Sequence, residues 1–201
     1  MQMSDSDVGA ADNPDLPCDE KQTQVEQILS AGLLIAAGVA AVSLILIYQP
    51  VKIKGNSMTP LLSDHEAIVI NRLVYQFEPI HRGDVVVFRY PLDVTQSFIK
   101  RIVGLPGEIV QIRQGLVYVN ENWVPEPYVL SQYGDLSDFG PIQVPSGSYF
   151  VLGDHRSDSS DSRAFGTVVR RLIEGRAVFA YWPIDHLGLL STTGTTEAKA
   201  K

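Results

Sequence analysis

The sequence predicts a mainly β protein, a largely antiparallel sheet behind one N-terminal transmembrane helix. Two observations carry that expectation. Residues 28–47, ILSAGLLIAAGVAAVSLILI, run without a single charge, which matches the roughly 20 apolar positions an α-helix needs to cross a hydrocarbon core about 30 Å thick. Beyond Pro50 the pattern changes to short runs rich in Val, Ile, Phe and Tyr, namely HEAIVI, DVVVFRY, SFIKRIVG, IVQIR, LVYVN, SYFVLG and RAVFAYWP. Runs of that length and composition between turn residues are strand signals. A length of 201 residues leaves room for one ordinary domain with appendages.

Taken in chain order, residues 1–27 are rich in Asp, Asn, Pro and Gln with few large apolar groups, so they read as a disordered acidic tail on the cytoplasmic side. Residues 28–48 read as an uncleaved anchor. A cleavable leader has a shorter apolar region behind a positive start, and here the start is acidic. Tyr48 suits a membrane interface and Pro50 resists further helix. Glycine and proline recur through residues 49–190, from Gly83 and Pro91 to Pro145 and Gly147, which leaves little room for helices and marks this stretch as the β-rich domain. Residues 191–201, STTGTTEAKAK, read as a second disordered end.

Charge and cysteine usage narrow the function classes. The formal net charge is −7, but seven acids and one base fall within residues 1–27, so the body is nearly neutral. A neutral body without a basic stripe speaks against nucleic-acid partners. Cys18 is the only cysteine, which excludes an intrachain disulfide and a cysteine-based zinc site. His65, His81, His155 and His186 show no metal-ligand spacing, and no metal or cofactor is expected.

Three segments could carry chemistry. In KIKGNSMTPLL, residues 52–62, Ser57 stands at a strand end entering a Pro60 turn, either as a plain turn residue or as a group presented by a loop on a rigid sheet. In SFIKRIVGLPGE, residues 97–108, strand periodicity puts Lys100 on the face of Phe98 and Ile102 and puts Arg101 on the other. One of these adjacent bases must then lie among apolar side chains. Burial disfavours an ammonium, so a lysine there can become a general base; the alternative is a lysine that snorkels from an edge strand. The third segment, VLGDHRSDSSDSRAFG at 151–166, is a dense polar loop after a strand. It is open to three readings: a calcium loop, a Ser57–His155–Asp triad, or a hydrogen-bonded scaffold. The spacing of Asp154, Asp158 and Asp161 does not follow the EF-hand pattern.

One anchor helix followed by GNSMTP, FIKRIVGLPGE, GDHRSDSSDSR and a closing AYWP closely resembles the type I signal peptidases, above all their short single-anchor bacterial forms. The resemblance spans most of residues 28–183. It implies a membrane-bound serine endopeptidase of signal-peptidase β fold that removes signal peptides from exported precursors, and a lipid bilayer and those precursors as partners. Carried across, Ser57 matches the nucleophile and Lys100 the general base, with Ser159, Asp161 and Arg163 in support. Ser159 matches the hydroxyl that holds the lysine amine. The resemblance further implies substrate binding by strand addition, with Ile53, Met58, Leu62, Phe98 and Ile99 walling small pockets that favour Ala-X-Ala. The backbone N–H of Ser57 becomes an oxyanion donor. Where some members carry a second donor hydroxyl, this chain has Gly55.

Orientation and activity each have a competing reading. Lys21 precedes the helix and Lys52 and Lys54 follow it, a bias that by itself places the body in the cytoplasm; the resemblance implies the extracytoplasmic side and is preferred. A membrane-tethered relative of the self-cleaving repressor peptidases would share the Ser-Lys chemistry but would need a DNA-binding domain. A silent β module binding partners through the polar loop would need neither Ser57 nor Lys100.

Overall fold

The computed structural model describes residues 18–190, so the tails expected over residues 1–17 and 191–201 lie outside the described residues. The chain divides between Leu44 and Ile45 into two compact units. Helix α1 (Cys18–Ile47) fills the described part of the first unit and enters the second. Its stretch Glu26–Leu44 is long and apolar enough to cross a membrane, and its side chains are exposed throughout. An apolar surface open on all sides suits lipid.

The helix begins at Cys18, ten residues before the charge-free run, so residues 18–27 are helical and not a disordered tail. The physical reason is propensity. Glu, Lys and Gln are strong helix formers, and a helix already nucleated in the apolar run extends through them at little cost.

The second unit holds β1 (Tyr48–Lys52), β2 (Ala67–Asn71), the short helix α2 (Val74–Phe77), β3 (Val85–Tyr90), β4 (Asp93–Gly104), β5 (Ile109–Arg113) and β6 (Leu116–Val119). It continues with β7 (Asn122–Trp123), β8 (Phe139–Gln143), β9 (Ser148–Leu152), α3 (Ser162–Phe165), β10 (Val168–Val169), β11 (Ile173–Trp182) and β12 (Gly188–Leu189). One sheet runs β1-β2-β11-β3-β4-β9-β10 with β12 also on β11, and a second runs β7-β6-β5-β8. Every pairing is antiparallel. The mainly β, antiparallel expectation therefore holds. Each of the seven apolar runs coincides with a strand. β1 carries Pro50 without loss because it is the edge of its sheet and needs no donor on the outer side.

The centre of the larger sheet is covered on both faces, which explains why β3 reads VVVF without alternation. Val85 and Val87 join a cluster with Ile53, Met58, Leu62, Ile68, Ile70 and Ile99. Val86 and Phe88 join another with Ile102, Val151 and Ile173. A third cluster, from Val103 through Val110, Val117 and Phe150, seats the smaller sheet. In this doubly covered centre β4 buries both Lys100 and Arg101, at 4% and 0% exposure, where the sequence reading allowed for one.

Three segments converge here. Lys100 is in register with Val86 on β3, and Arg101 with Leu152 on β9. One step further along that antiparallel register brings Gly153 level with Lys100. The loop after β1 closes over the same place, where the His155 N–H donates to the Ser57 carbonyl at 3.1 Å.

Candidate active site

Ser57 lies in a tight loop and not on the strand itself. β1 ends at Lys52, and residues 57–60 form a turn in which the Thr59 N–H donates to the Asn56 carbonyl and the Leu62 N–H to the Met58 carbonyl. Asp64 braces the approach by accepting from the Gly55 N–H at 2.8 Å and the His65 N–H at 3.0 Å. Gly55 adopts φ +87°, a left-handed conformation that glycine reaches without a steric cost.

Lys100 Nζ donates to Ser57 Oγ at 2.7 Å and to the Ile99 carbonyl at 3.0 Å. Burial pulls its pKa down to about 8, against the opposing field of the Asp161 and Asp154 carboxylates. The Phe98 ring centroid stands 5.4 Å from the amine. In its neutral form, which this lowered pKa brings within reach, an amine in contact with a loop hydroxyl can take that hydroxyl's proton as it attacks a carbonyl carbon.

Arg101, the next residue, has a different setting. Its guanidinium clasps Asp154 through Nε at 2.9 Å and Nη2 at 2.6 Å, and Nη1 donates to the Gly83 carbonyl at 2.9 Å. The Tyr128 ring covers it at 4.0 Å. Burial works against this charge, but the hydrogen bonds and charge of Asp154 outweigh it and raise its pKa.

The polar loop is a scaffold of such pairs. Asp161 is fully buried and caps α3: its side chain accepts from the Gly153 N–H at 3.1 Å, the Arg163 N–H at 3.2 Å and Arg163 Nε at 2.9 Å. Arg163 also reaches Asp135 and the Arg156 carbonyl. Arg156 in turn holds Glu126 by two hydrogen bonds of 2.8 and 2.6 Å. Gly153 makes the close approach possible, since a Cβ there would fall 2.5 Å from the Ser57 carbonyl oxygen and closer still to Ser159 Oγ.

Of the residues singled out by sequence, Ile53, Met58, Leu62 and Ile99 share one buried cluster. Phe98 does not join them. It stacks on Tyr90 at 4.5 Å and meets Phe165 and Phe88 edge-on, in the cluster on the other face, because consecutive strand residues point to opposite sides. Asp161 and Arg163 are hydrogen-bonded to each other, Arg163 donating through Nε and Nη2 at 2.9 Å each. Ser159 lies over Gly153, yet its buried hydroxyl makes no hydrogen bond among the described residues, and the amine it was expected to hold is taken by Ser57 and Ile99. His155 meets the serine loop twice, its main-chain N–H donating to the Ser57 carbonyl and its ring Nδ1 standing 3.3 Å from the Asn56 carbonyl. Sequence reading missed Glu126 and Asp135. Both lie in a stretch without strand signals, and their guanidinium partners stand 30 and 28 residues away.

A loop serine thus lies against a buried amine on a β body that follows an apolar helix in the chain. The comparisons give the family. The model of the family described as signal peptidase, peptidase S26, matches residues 26–182. A protein named Probable signal peptidase I-2 from Synechocystis sp. is 38% identical over 73% of this chain and 68% of its own length. A signal peptidase I from Leptolyngbya laminosa is 39% identical over 69% of this chain and 70% of its own length. A crystal structure of a signal peptidase I from Enterococcus faecalis covers 49% of this chain and 97% of that chain, at 35% identity and a TM-score of 0.44. The chain belongs to the signal peptidase family, peptidase S26. It is a serine peptidase with one N-terminal helix fit to anchor it in a membrane.

Proposed function

We propose that this chain removes signal peptides from exported precursors on the extracytoplasmic side of a membrane, with Ser57 as nucleophile and Lys100 as general base. The observation that carries the proposal is the 2.7 Å contact between Ser57 Oγ and a Lys100 amine whose pKa burial draws down to about 8. The neutral amine accepts the Ser57 proton while Oγ bonds to the scissile carbonyl carbon. The resulting ammonium returns that proton to the departing amine. Lys100 then deprotonates water for the second attack, which releases the acid and restores Ser57. The Ser57 N–H faces the developing oxyanion in this scheme.

The substrate lies as an added strand along the serine loop, whose leading strand β1 is a sheet edge. Ile53, Met58, Leu62 and Ile99 then wall the side-chain pockets, and their close packing favours alanine one and three residues before the cut. Phe98 acts instead as an apolar neighbour of the amine. Asp161 and Arg163 hold the loop that backs Gly153. Incubating the purified full chain in detergent with a precursor and sequencing the new N-terminus tests the proposal: a single cut after Ala-X-Ala is expected, and cuts at unrelated sequences would overturn it.

A further inference from the structure

The other end of the larger sheet carries a feature that the catalytic reading does not use. A pocket of about 530 Å³ is lined by Leu46, Arg72, Arg89, Val94, Arg171 and Glu174, among others, a size ordinary for a small-molecule site. The sheet topology explains the cluster. Arg72 directly follows β2, Arg89 is the penultimate residue of β3, Val94 is the second residue of β4, and Arg171 and Glu174 flank the start of β11. All these strand ends meet where the chain enters β1, since Tyr48 pairs with Asn71 and the Arg72 N–H donates to the Ile47 carbonyl at 3.0 Å.

The charges in the pocket do not balance. Its one carboxylate, Glu174, is occupied at both oxygens, accepting from Arg89 Nε at 3.1 Å and from Ser97 Oγ at 3.1 Å. Arg72 and Arg171 are exposed and have no ion-pair partner among the described residues. Two guanidinium groups without counter-ions among the described residues line one pocket, and each guanidinium is a donor fork suited to phosphate oxygens. Leu46 is the penultimate residue of the helix, two residues past the apolar stretch Glu26–Leu44. Phe77, Leu92 and Val94, at this same end, expose 83%, 72% and 54% of their surface, an apolar fringe of the kind found at membrane or partner surfaces.

We propose that this pocket binds the headgroup of an anionic phospholipid, with Arg72 and Arg171 on the phosphate and the apolar fringe against the acyl region. The proposal rests on the membrane anchoring of the helix and not on the catalytic assignment. Leu46, which lines the pocket, follows the apolar stretch Glu26–Leu44 by two residues in the chain. Basic pockets beside membrane helices recognise anionic headgroups by the same chemistry.

Native mass spectrometry of the full chain in neutral detergent tests it, with short-chain phosphatidylglycerol, short-chain phosphatidylcholine and inorganic phosphate as probes. One phosphatidylglycerol adduct is expected, at least tenfold tighter than phosphatidylcholine and not displaced by equimolar phosphate. Arg72→Gln with Arg171→Gln should weaken it at least tenfold and leave precursor cleavage in detergent unchanged. The pair Arg72→Lys with Arg171→Lys, which keeps the charge but not the fork, should lose only a few-fold and supplies the readout if the glutamine pair does not fold. Equal binding of phosphatidylcholine, displacement by free phosphate, or unchanged affinity in the glutamine variant would each overturn the proposal.

Discussion

Lys100 and Arg101 are neighbours on β4, equally removed from water, and the protein treats their charges in opposite ways. Arg101 has a carboxylate clasped at 2.9 and 2.6 Å, a backbone carbonyl and an aromatic lid. Lys100 has a hydroxyl and a carbonyl as partners, with Asp161 and Asp154 acting on it through space. The difference shows that the fold has the means to neutralise a buried cation and leaves Lys100 without them. Asp161, the carboxylate that could have served the lysine, is engaged by Arg163 and the Gly153 N–H. Asp154 and Asp161 are thus assigned to arginines, and the amine is left with a lowered pKa.

The largest expected effect comes from removing the unneutralised amine. Lys100→Ala and Ser57→Ala should each lower precursor cleavage by about 10³-fold or more, the scale of a lost base or nucleophile. Lys100→Arg should fail equally, because a guanidinium stays charged. In the wild type, cleavage should rise about tenfold per pH unit below 8 and level off above, as the fraction of neutral Lys100 grows. Rates followed from pH 6 to 10 check both points. A profile that levels off near pH 6.5 would transfer the base role to a histidine such as His155.

Next in size is the neutralised partner. Arg101→Met leaves the fully buried Asp154 carboxylate without its clasp and should destabilise the protein by about 3 to 5 kcal/mol. Urea unfolding of the detergent-solubilised chain measures this. A loss below about 1 kcal/mol would mean that Asp154 is not held as an ion pair and that the contrast with Lys100 is false.

How much of this contrast could be read from the sequence depends on the range of each interaction. The strands were legible because β-branched and aromatic runs such as DVVVFRY carry their own signal, and the first anchor residues because a charge-free run of that length has few other uses. Ser57 and Lys100 stood out as motifs, with period-two alternation already placing Lys100 beside Phe98. The same alternation, applied to Phe98 and Ile99, separates Phe98 from the buried cluster that holds Ile99. Arg101 was not legible as a buried ion, since its partner Asp154 lies 53 residues on and a pairing through space leaves no mark in one sequence. The helical state of residues 18–27 is not legible because composition separates apolar from polar segments and does not register a polar extension of a helix nucleated elsewhere.

Lys100→Met should have the opposite sign to Arg101→Met. The lysine pKa is about 10.5 in the unfolded chain and about 8 in the folded one, so the unfolded state binds the extra proton and is favoured. This penalty is fully present below pH 8, fades as pH rises from 8 to 10.5, and is absent above. At about 1.4 kcal/mol per pKa unit it amounts to about 3 kcal/mol at pH 7. The methionine variant should accordingly be inactive and more stable at pH 7 by up to that amount, and the gain should vanish near pH 10.5. Stability that does not change with pH between 8 and 10.5 would remove the physical basis of the assignment.

The smallest expected effect concerns Ser159. Its hydroxyl is buried over Gly153 with no hydrogen-bond partner among the described residues, and an unsatisfied buried hydroxyl costs about 1 to 3 kcal/mol. Ser159→Ala removes that group without disturbing the amine's contacts to Ser57 and Ile99. The variant should therefore match or exceed the wild type in thermal stability, by about 1 kcal/mol at most because packing is slightly loosened, and should cleave precursor within a few-fold of it. A fall beyond about a hundredfold at unchanged Tm would show that Ser159 engages the amine once substrate is bound. Lys100 would then have a neutral hydroxyl as a third partner and still no carboxylate, so its contrast with Arg101 would become sharper.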